Sequence, residues 1–372
     1  MKIAFDAKRA FNNYSGLGNY ARSLMDSIIH YFPENEYHLY TPKIKIFDYQ
    51  SSLLSYANIN IHQPQRFFSS LFHNHWRSYT ITNELIANNV DVYHGLSNEI
   101  PSNIRRFSQK KIVSIHDLIF LRFPELYPVF DRQIYDSKVR NSCKNADCVI
   151  AISEQTKKDI IHYYRIPEAK IKVLYQSCNP IFRAENSMDE LKQIRKKYNL
   201  PSNFILSVGT IEQRKNLLTL LKALNLTKDI SLVVVGKKTK YYKQLLQFCQ
   251  ENDLMSRVFF LNNVPTSDLP SLYKNCNLFV YPSVFEGFGI PVLEAINCKV
   301  PVIAALGSSL IEVGGKDSLY FDPYNHQQLA ELILNVINSS NLRQKMIDNS
   351  WQHAQKFLPQ NLSAQLMKIY TN

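Results

Sequence analysis

Several signatures that would fix a function class are missing from this sequence. Its six cysteines (Cys143, Cys148, Cys178, Cys249, Cys276, Cys298) never form C-x-x-C, and none neighbours a second metal-type ligand at a recognised spacing. Zinc-ribbon and thioredoxin-like readings fall away, and free thiols in a reducing cytosol are expected. No Asp-x-Asp triplet occurs, so no metal clamp and no other cofactor is expected. No apolar run approaches the ~20 residues of a membrane span. The start, MKIAFDAKRAF, has only a short apolar stretch before Asp6 and does not read as a signal peptide. Helix-turn-helix, zinc-finger and RNA-binding signatures are also absent, which sets nucleic acid aside as a partner.

What is present is a basic, aromatic-rich chain of 372 residues with a net charge of +12, 22 Tyr and 21 Phe. A basic surface invites phosphorylated substrates or anionic lipid headgroups. Single cores stop growing near ~250–300 residues, so two domains are expected. In the second half, FILSVG (204–209), SLVVVG (231–236), RVFFL (257–261), NLFVY (277–281) and PVIAA (301–305) alternate with amphipathic helical segments. This alternation predicts βαβ units and parallel sheets covered on both faces. The first half repeats the theme with KIAFD (2–6), EYHLY (36–40), INIH (59–62), VDVYH (90–94), KIVSIH (111–116), CVIAIS (148–153) and KIKVLY (170–175). Its strongest helix is expected over 18–32.

The predicted fold class is therefore α/β, with two doubly wound Rossmann-like domains. The boundary falls in the polar loop near 176–186. Residues 1–178 form the first domain, residues 179–357 the second, and 358–372 a terminal helix expected to pack back on the first. Ligands of such sheets bind at the carboxyl ends of the strands, so the cleft between the domains is the expected site.

YSGLGNYAR (14–22) contains Gly16-x-Gly18-x-x-Ala21, the spacing of a dinucleotide-binding turn. That fingerprint needs its glycines directly after the first strand and an acid at the end of the second. Here a long gap follows Asp6, and HLYTP (38–42) ends without a carboxylate. A nicotinamide oxidoreductase is thereby disfavoured. The small residues still let a backbone approach a ligand closely, next to a helix N-terminus.

The richest stretch is YPSVFEGFGIPVLEAI (281–296). Glu286 lies in a loop directly after a strand, Gly287 and Gly289 permit close backbone approach, and Glu294 follows one turn into a helix. A diphosphate suits the helix end, and the carboxylates suit sugar and ribose hydroxyls. Each glutamate alone also reads as an ordinary surface charge, Arg214-Lys215 as a solvated pair, and His116 as a satisfied core histidine.

E286-GFGIPVL-E294 resembles the E-x7-E motif of the family 4 retaining glycosyltransferases, which have the GT-B fold. SVGTIEQRKN (207–216), SIHDLIFLRFPE (114–125), AISEQTKKDII (151–161) and SGLGNYAR (15–22) resemble further segments of that family, in the same order. The resemblance implies that Arg214 and Lys215 neutralise the diphosphate of a sugar nucleotide and that Glu294 binds the ribose. It implies that Glu286 and the backbone of Phe288, Gly289 and Ile290 grip the donor sugar, and that His116 faces the reaction centre. Gly16 and Gly18 would close on the diphosphate and the acceptor. Thr210 stands where many relatives have Arg, leaving more of the phosphate charge to Arg214 and Lys215.

The expected activity is metal-independent transfer of a hexose, mannose favoured, from a GDP- or UDP-sugar to a saccharide or lipid-linked saccharide. An inactive nucleotide- or glycan-binding module is the non-enzymatic alternative. FFSSLFHNHWRSYTITNEL (67–85), with nearby Arg66, mixes aromatics with His73, His75 and Arg77, and RRFSQKK (105–111) adds four cations. Such a surface suits peripheral contact with an anionic membrane at its cytoplasmic face.

Overall fold

The computed structural model describes residues 1–14, 16–53, 55–64 and 70–372. The chain separates into two compact units: Met1–Ser177 together with Phe357–Asn372, and Cys178–Lys356.

The first unit is built on a parallel seven-stranded sheet. Its strands are β1 (Lys2–Asp6), β2 (Glu36–Tyr40), β3 (Ile59–His62), β4 (Val92–Gly95), β5 (Lys110–Ile115), β6 (Cys148–Ala151) and β7 (Ile171–Val173), in the order β3-β2-β1-β4-β5-β6-β7. The order reverses between β1 and β4, which makes their carboxyl ends the topological switch point. The helix Gly16–Tyr31 starts two residues before the segment expected to be helical and buries Tyr20, Ala21, Met25, Ile28 and Ile29. These positions share one face at the helical period. The last helix, Pro359–Thr371, packs on that same helix.

Two local features are absent from the sequence reading. A short helix, Lys8–Asn12, fills the gap after β1. Five residues, Trp76–Thr80, wind as a π-helix between the helices Ser70–His75 and Ile81–Ala87.

The second unit carries a parallel six-stranded sheet: β8 (Phe204–Val208), β9 (Ser231–Val235), β10 (Val258–Leu261), β11 (Leu278–Tyr281), β12 (Val302–Ala305) and β13 (Leu319–Phe321), ordered β10-β9-β8-β11-β12-β13. β9 reads SLVVV and buries four of its five residues, as a strand covered on both faces must. One core cluster of this unit packs Leu220, Leu224 and Ile333 from its helices against Val234, Val280 and Ile303 of the sheet. The order reverses between β8 and β11, so the loops after those two strands flank the switch point of this unit.

Candidate functional site

At the carboxyl end of β8 the chain makes a 3₁₀ turn, Gln213–Lys215, and passes through Asn216 in the left-handed conformation (φ 57°) into the helix Leu217–Asn225. Asn216 fixes that turn, because its Nδ2 donates to the carbonyls of Pro282 (3.2 Å) and Pro323 (2.7 Å). Arg214 and Lys215 are thereby aimed at the loop that follows β11.

Glu286 stands in that loop, and a single oxygen receives its contacts. Oε1 lies 2.5 Å from Lys215 Nζ, 2.5 Å from Ser283 Oγ, 3.0 Å from the Tyr281 hydroxyl and 3.1 Å from Arg214 Nη1. Lys215 also donates to the Tyr281 hydroxyl at 2.8 Å, and Arg214 to the carbonyl of Phe285 and to Glu212. Oε2 takes no protein partner among the described residues. Burial alone would raise the Glu286 carboxyl; Lys215 and Arg214 outweigh it and hold it at about 2. Burial would likewise lower the Arg214 guanidinium, which Glu286 and Glu212 raise instead. The result is a carboxylate that is ionised at neutral pH, with one oxygen engaged by two cations and one oxygen available.

Three residues further on, the helix Ile290–Asn297 begins at Gly289, whose φ of 112° disfavours any side chain. A Cβ there would lie 2.5 Å from Leu310 Cδ2. Ser309 Oγ sits 2.8 Å from the carbonyls of both Glu286 and Phe288, drawing them away from the helix end. The Gly289 and Ile290 amides take no protein acceptor among the described residues, so they are available at a positive dipole end. Glu294, half-buried, accepts from the Tyr273 hydroxyl at Oε2 (2.9 Å). Burial pushes its carboxyl up to about 7, against the opposing effect of Tyr273. Beside β8, an open groove of about 420 Å³ runs between residues 235–238 and 262–264, at the carboxyl ends of β9 and β10. Thr210 is half-buried at the start of the β8 loop, its carbonyl accepting from the Glu212 amide.

The structure thus brings Arg214, Lys215, Glu286, Phe288, Gly289, Ile290 and Glu294 to one edge of the second sheet. Tyr281, Ser283, Tyr273 and Ser309 complete the site and were not singled out from sequence. Tyr281 and Ser283 lie inside the quoted YPSVFEGFG stretch, which was the available signal.

The remaining candidates belong to the first unit. His116 follows β5 and is buried; its Nε2 donates to the Leu96 carbonyl (2.8 Å) and its ring meets Tyr20 edge-on at 4.5 Å. Burial pushes it down to about 4, although the Leu96 bond opposes this, so the ring is neutral at neutral pH. Gly16 has open space where a Cβ would stand. Gly18 does not, because a Cβ would lie 1.8 Å from the Asn13 carbonyl oxygen. Gly18 is therefore required by the chain's own turn.

The stretch expected to face a membrane is partly turned inward. Trp76 is buried, with Nε1 donating to Glu84, and Arg77 is ion-paired to Asp6 and Glu99. Phe107 is buried, and Lys111 pairs with Asp147. Arg66, Phe67 and Phe68 lie outside the described residues. No helix among the described residues is long and apolar enough to cross a membrane.

Two doubly wound parallel domains with this loop chemistry define the GT-B class of glycosyltransferase folds. The chain is similar over its whole length to Anabaena HepE, solved with UDP and glucose (TM-score 0.76, 18% identity, all of both chains). It is also similar to sucrose-phosphate synthase from Thermosynechococcus elongatus (TM-score 0.79, 18% identity, 100% of this chain and 98% of that one). Residues 15–180 match Glycosyltransferase Family 4 and residues 190–353 match Glycosyl transferases group 1, and the chain belongs to this glycosyltransferase family. It is 28% identical over 285 residues to O-antigen chain mannosyltransferase B of Escherichia coli, covering 75% of this chain and 74% of that one. It is 29% identical over 259 residues to the serotype-specific mannosyltransferase WbdA of Escherichia coli, covering 67% of this chain and 32% of that one. The chain thus matches about a third of that longer relative. Membership of this family replaces the oxidoreductase alternative.

Proposed function

We propose that this enzyme moves a hexose, with mannose favoured, from a nucleoside diphosphate to a saccharide or lipid-linked saccharide in surface-polysaccharide synthesis. The observation that carries the reading is the shared grip of Lys215 and Arg214 on Glu286 Oε1 at the switch point of the second sheet. The O-antigen mannosyltransferases among its relatives support the choice of sugar and of acceptor class.

In this reading the donor diphosphate meets Arg214, Lys215 and the free amides of Gly289 and Ile290. Charge building on the leaving diphosphate is met by groups already in place, and one such donor is worth ~10²–10³ in rate. Glu286 Oε2 holds a hydroxyl of the donor sugar, Glu294 the ribose diol, and the groove beside β8 the base. His116, Gly16 and Gly18 keep the roles the resemblance implies, Gly18 by shaping the turn before its helix, and Thr210 lies on the donor side at the start of the β8 loop. The configuration at the sugar is retained by front-face attack, in which the leaving phosphate accepts the acceptor's proton; this step needs positioning and no covalent intermediate. No metal takes part. The enzyme acts in the cytoplasm, in part at the membrane face.

The test is transfer from GDP-mannose, with UDP-glucose and UDP-galactose alongside, to a membrane glycolipid fraction in the presence of EDTA. The expected product carries the donor's anomeric configuration by NMR. An inverted product, or transfer abolished by EDTA and restored by a divalent ion, overturns the mechanism.

A further inference from the structure

The first unit has its own switch point, between β1 and β4, and a cluster of charges surrounds it. Asp6, at the end of β1, is 1% exposed. Arg77 reaches it from the π-helix, placing Nε and Nη2 at 3.0 and 2.6 Å from Oδ2, and sends Nη1 to Glu99 Oε2 at 2.8 Å. A π-turn inside a helical run often marks a functional position; here it directs Arg77 to the sheet edge. The second oxygen of Asp6 accepts from the Lys8 amide (3.2 Å) and so sets the start of the helix Lys8–Asn12.

Asp6, Arg77 and Glu99 satisfy one another, and two further cations are left over. Lys8 and Arg9 are each half-buried. Neither side chain makes an ion pair or a hydrogen bond among the described residues. Burial and the neighbouring Arg77 push the Lys8 amine down, and Arg9 adds to this, although Asp6 and Glu99 oppose it. Arg9 also acts on His116. Partly desolvated cations that no anion contacts directly are better satisfied when a bound anion completes them.

We propose that Lys8 and Arg9 form a phosphoryl-binding subsite for the acceptor, held in place by the Asp6–Arg77–Glu99 triad. The proposal rests on the glycosyltransferase reading above, in which Arg214 and Lys215 already serve the donor diphosphate. A second cationic pair, at the switch point of the other sheet, then belongs to the other substrate. The ligand chemistry is a phosphate or diphosphate group on the acceptor or its carrier.

The full-length protein is titrated calorimetrically, first with UDP and with GDP. With the tighter nucleotide kept saturating, inorganic pyrophosphate, geranyl diphosphate and phosphatidylglycerol vesicles are then tested in turn. Pyrophosphate or geranyl diphosphate is expected to bind the nucleotide-loaded protein. Lys8→Gln and Arg9→Gln should each weaken that binding about tenfold, the loss of one charge-assisted contact. Both variants should keep the wild-type nucleotide affinity, and Lys240→Gln, an exposed lysine of the second unit, should change neither. Failure of both nucleotides to bind removes the underlying function. Normal nucleotide binding with no diphosphate binding, or with binding indifferent to Lys8→Gln and Arg9→Gln, overturns the subsite alone. Binding confined to the vesicles and lost in both variants overturns the assignment to the acceptor, since the phosphoryl group is then a bilayer headgroup.

Discussion

Lys215 Nζ stands 2.5 Å from Glu286 Oε1, and the two residues come from the loops that follow neighbouring strands β8 and β11. Arg214 shares the same oxygen, so one carboxylate holds both cations in fixed directions. Fixed charge of this kind needs no rearrangement as the transition state forms, which is where electrostatic catalysis gains most.

Replacing Glu286 by Gln keeps the shape and removes the charge. Transfer should fall by ~10² or more, and the fold should lose up to about 3 kcal/mol because the half-buried Lys215 loses its carboxylate and Arg214 keeps only Glu212. Intact-mass measurement during turnover should show no glycosyl-enzyme. A trapped adduct on Glu286 of the wild type would mean double displacement.

Glu294 should make the enzyme sensitive to pH near neutrality. Its carboxyl is raised from 4.5 to about 7 by burial, so the folded state keeps a proton that the unfolded chain has lost between these values. Stability therefore falls as pH rises from 4.5 to about 7 and is level above, a change of at most about 3 kcal/mol. Donor KM should fall over the same upper range, since the carboxylate is the better acceptor for ribose hydroxyls. Glu294→Gln should flatten both profiles; a KM profile unchanged in that variant would separate Glu294 from the donor.

Much of this was legible in the sequence, for definite reasons. Strands such as β9 are continuous apolar runs because both faces are covered, and the carboxylates, glycines and helix start after β11 are adjacent in the chain. The Asp6–Arg77–Glu99 triad was not legible. Its members are separated by 71 and 22 positions, and an aromatic-basic stretch has the same composition whether it faces outward or, like Trp76 and Arg77, inward. Gly16 and Gly18 looked equivalent for a similar reason: only the fold shows which one lies against Asn13.

That difference between the glycines is testable. Gly16→Ala has room and should alter stability by no more than about 0.5–1 kcal/mol, so any loss of transfer there reports on substrate. Gly18→Ala must displace the Asn13 carbonyl and should cost about 1–3 kcal/mol, read as a lower melting temperature. Equal melting temperatures for the two variants would contradict the packing described for Gly18.

Membrane association should be reversible and electrostatic, carried by the cations that remain at the surface, Arg105 and Arg106 among them. Flotation with anionic liposomes should recover the protein at low salt and release it at high salt, as screening requires. Absence of salt-sensitive flotation would leave the peripheral assignment without support.

The most direct measurement is thermal unfolding with a panel of GDP- and UDP-sugars and with NAD. The expected result is stabilisation by one family of sugar nucleotides, about 2.7 kcal/mol at a hundred times its Kd, diminished in Lys215→Ala. Stabilisation by NAD and by no sugar nucleotide would contradict a sugar-nucleotide site between the β8 and β11 loops.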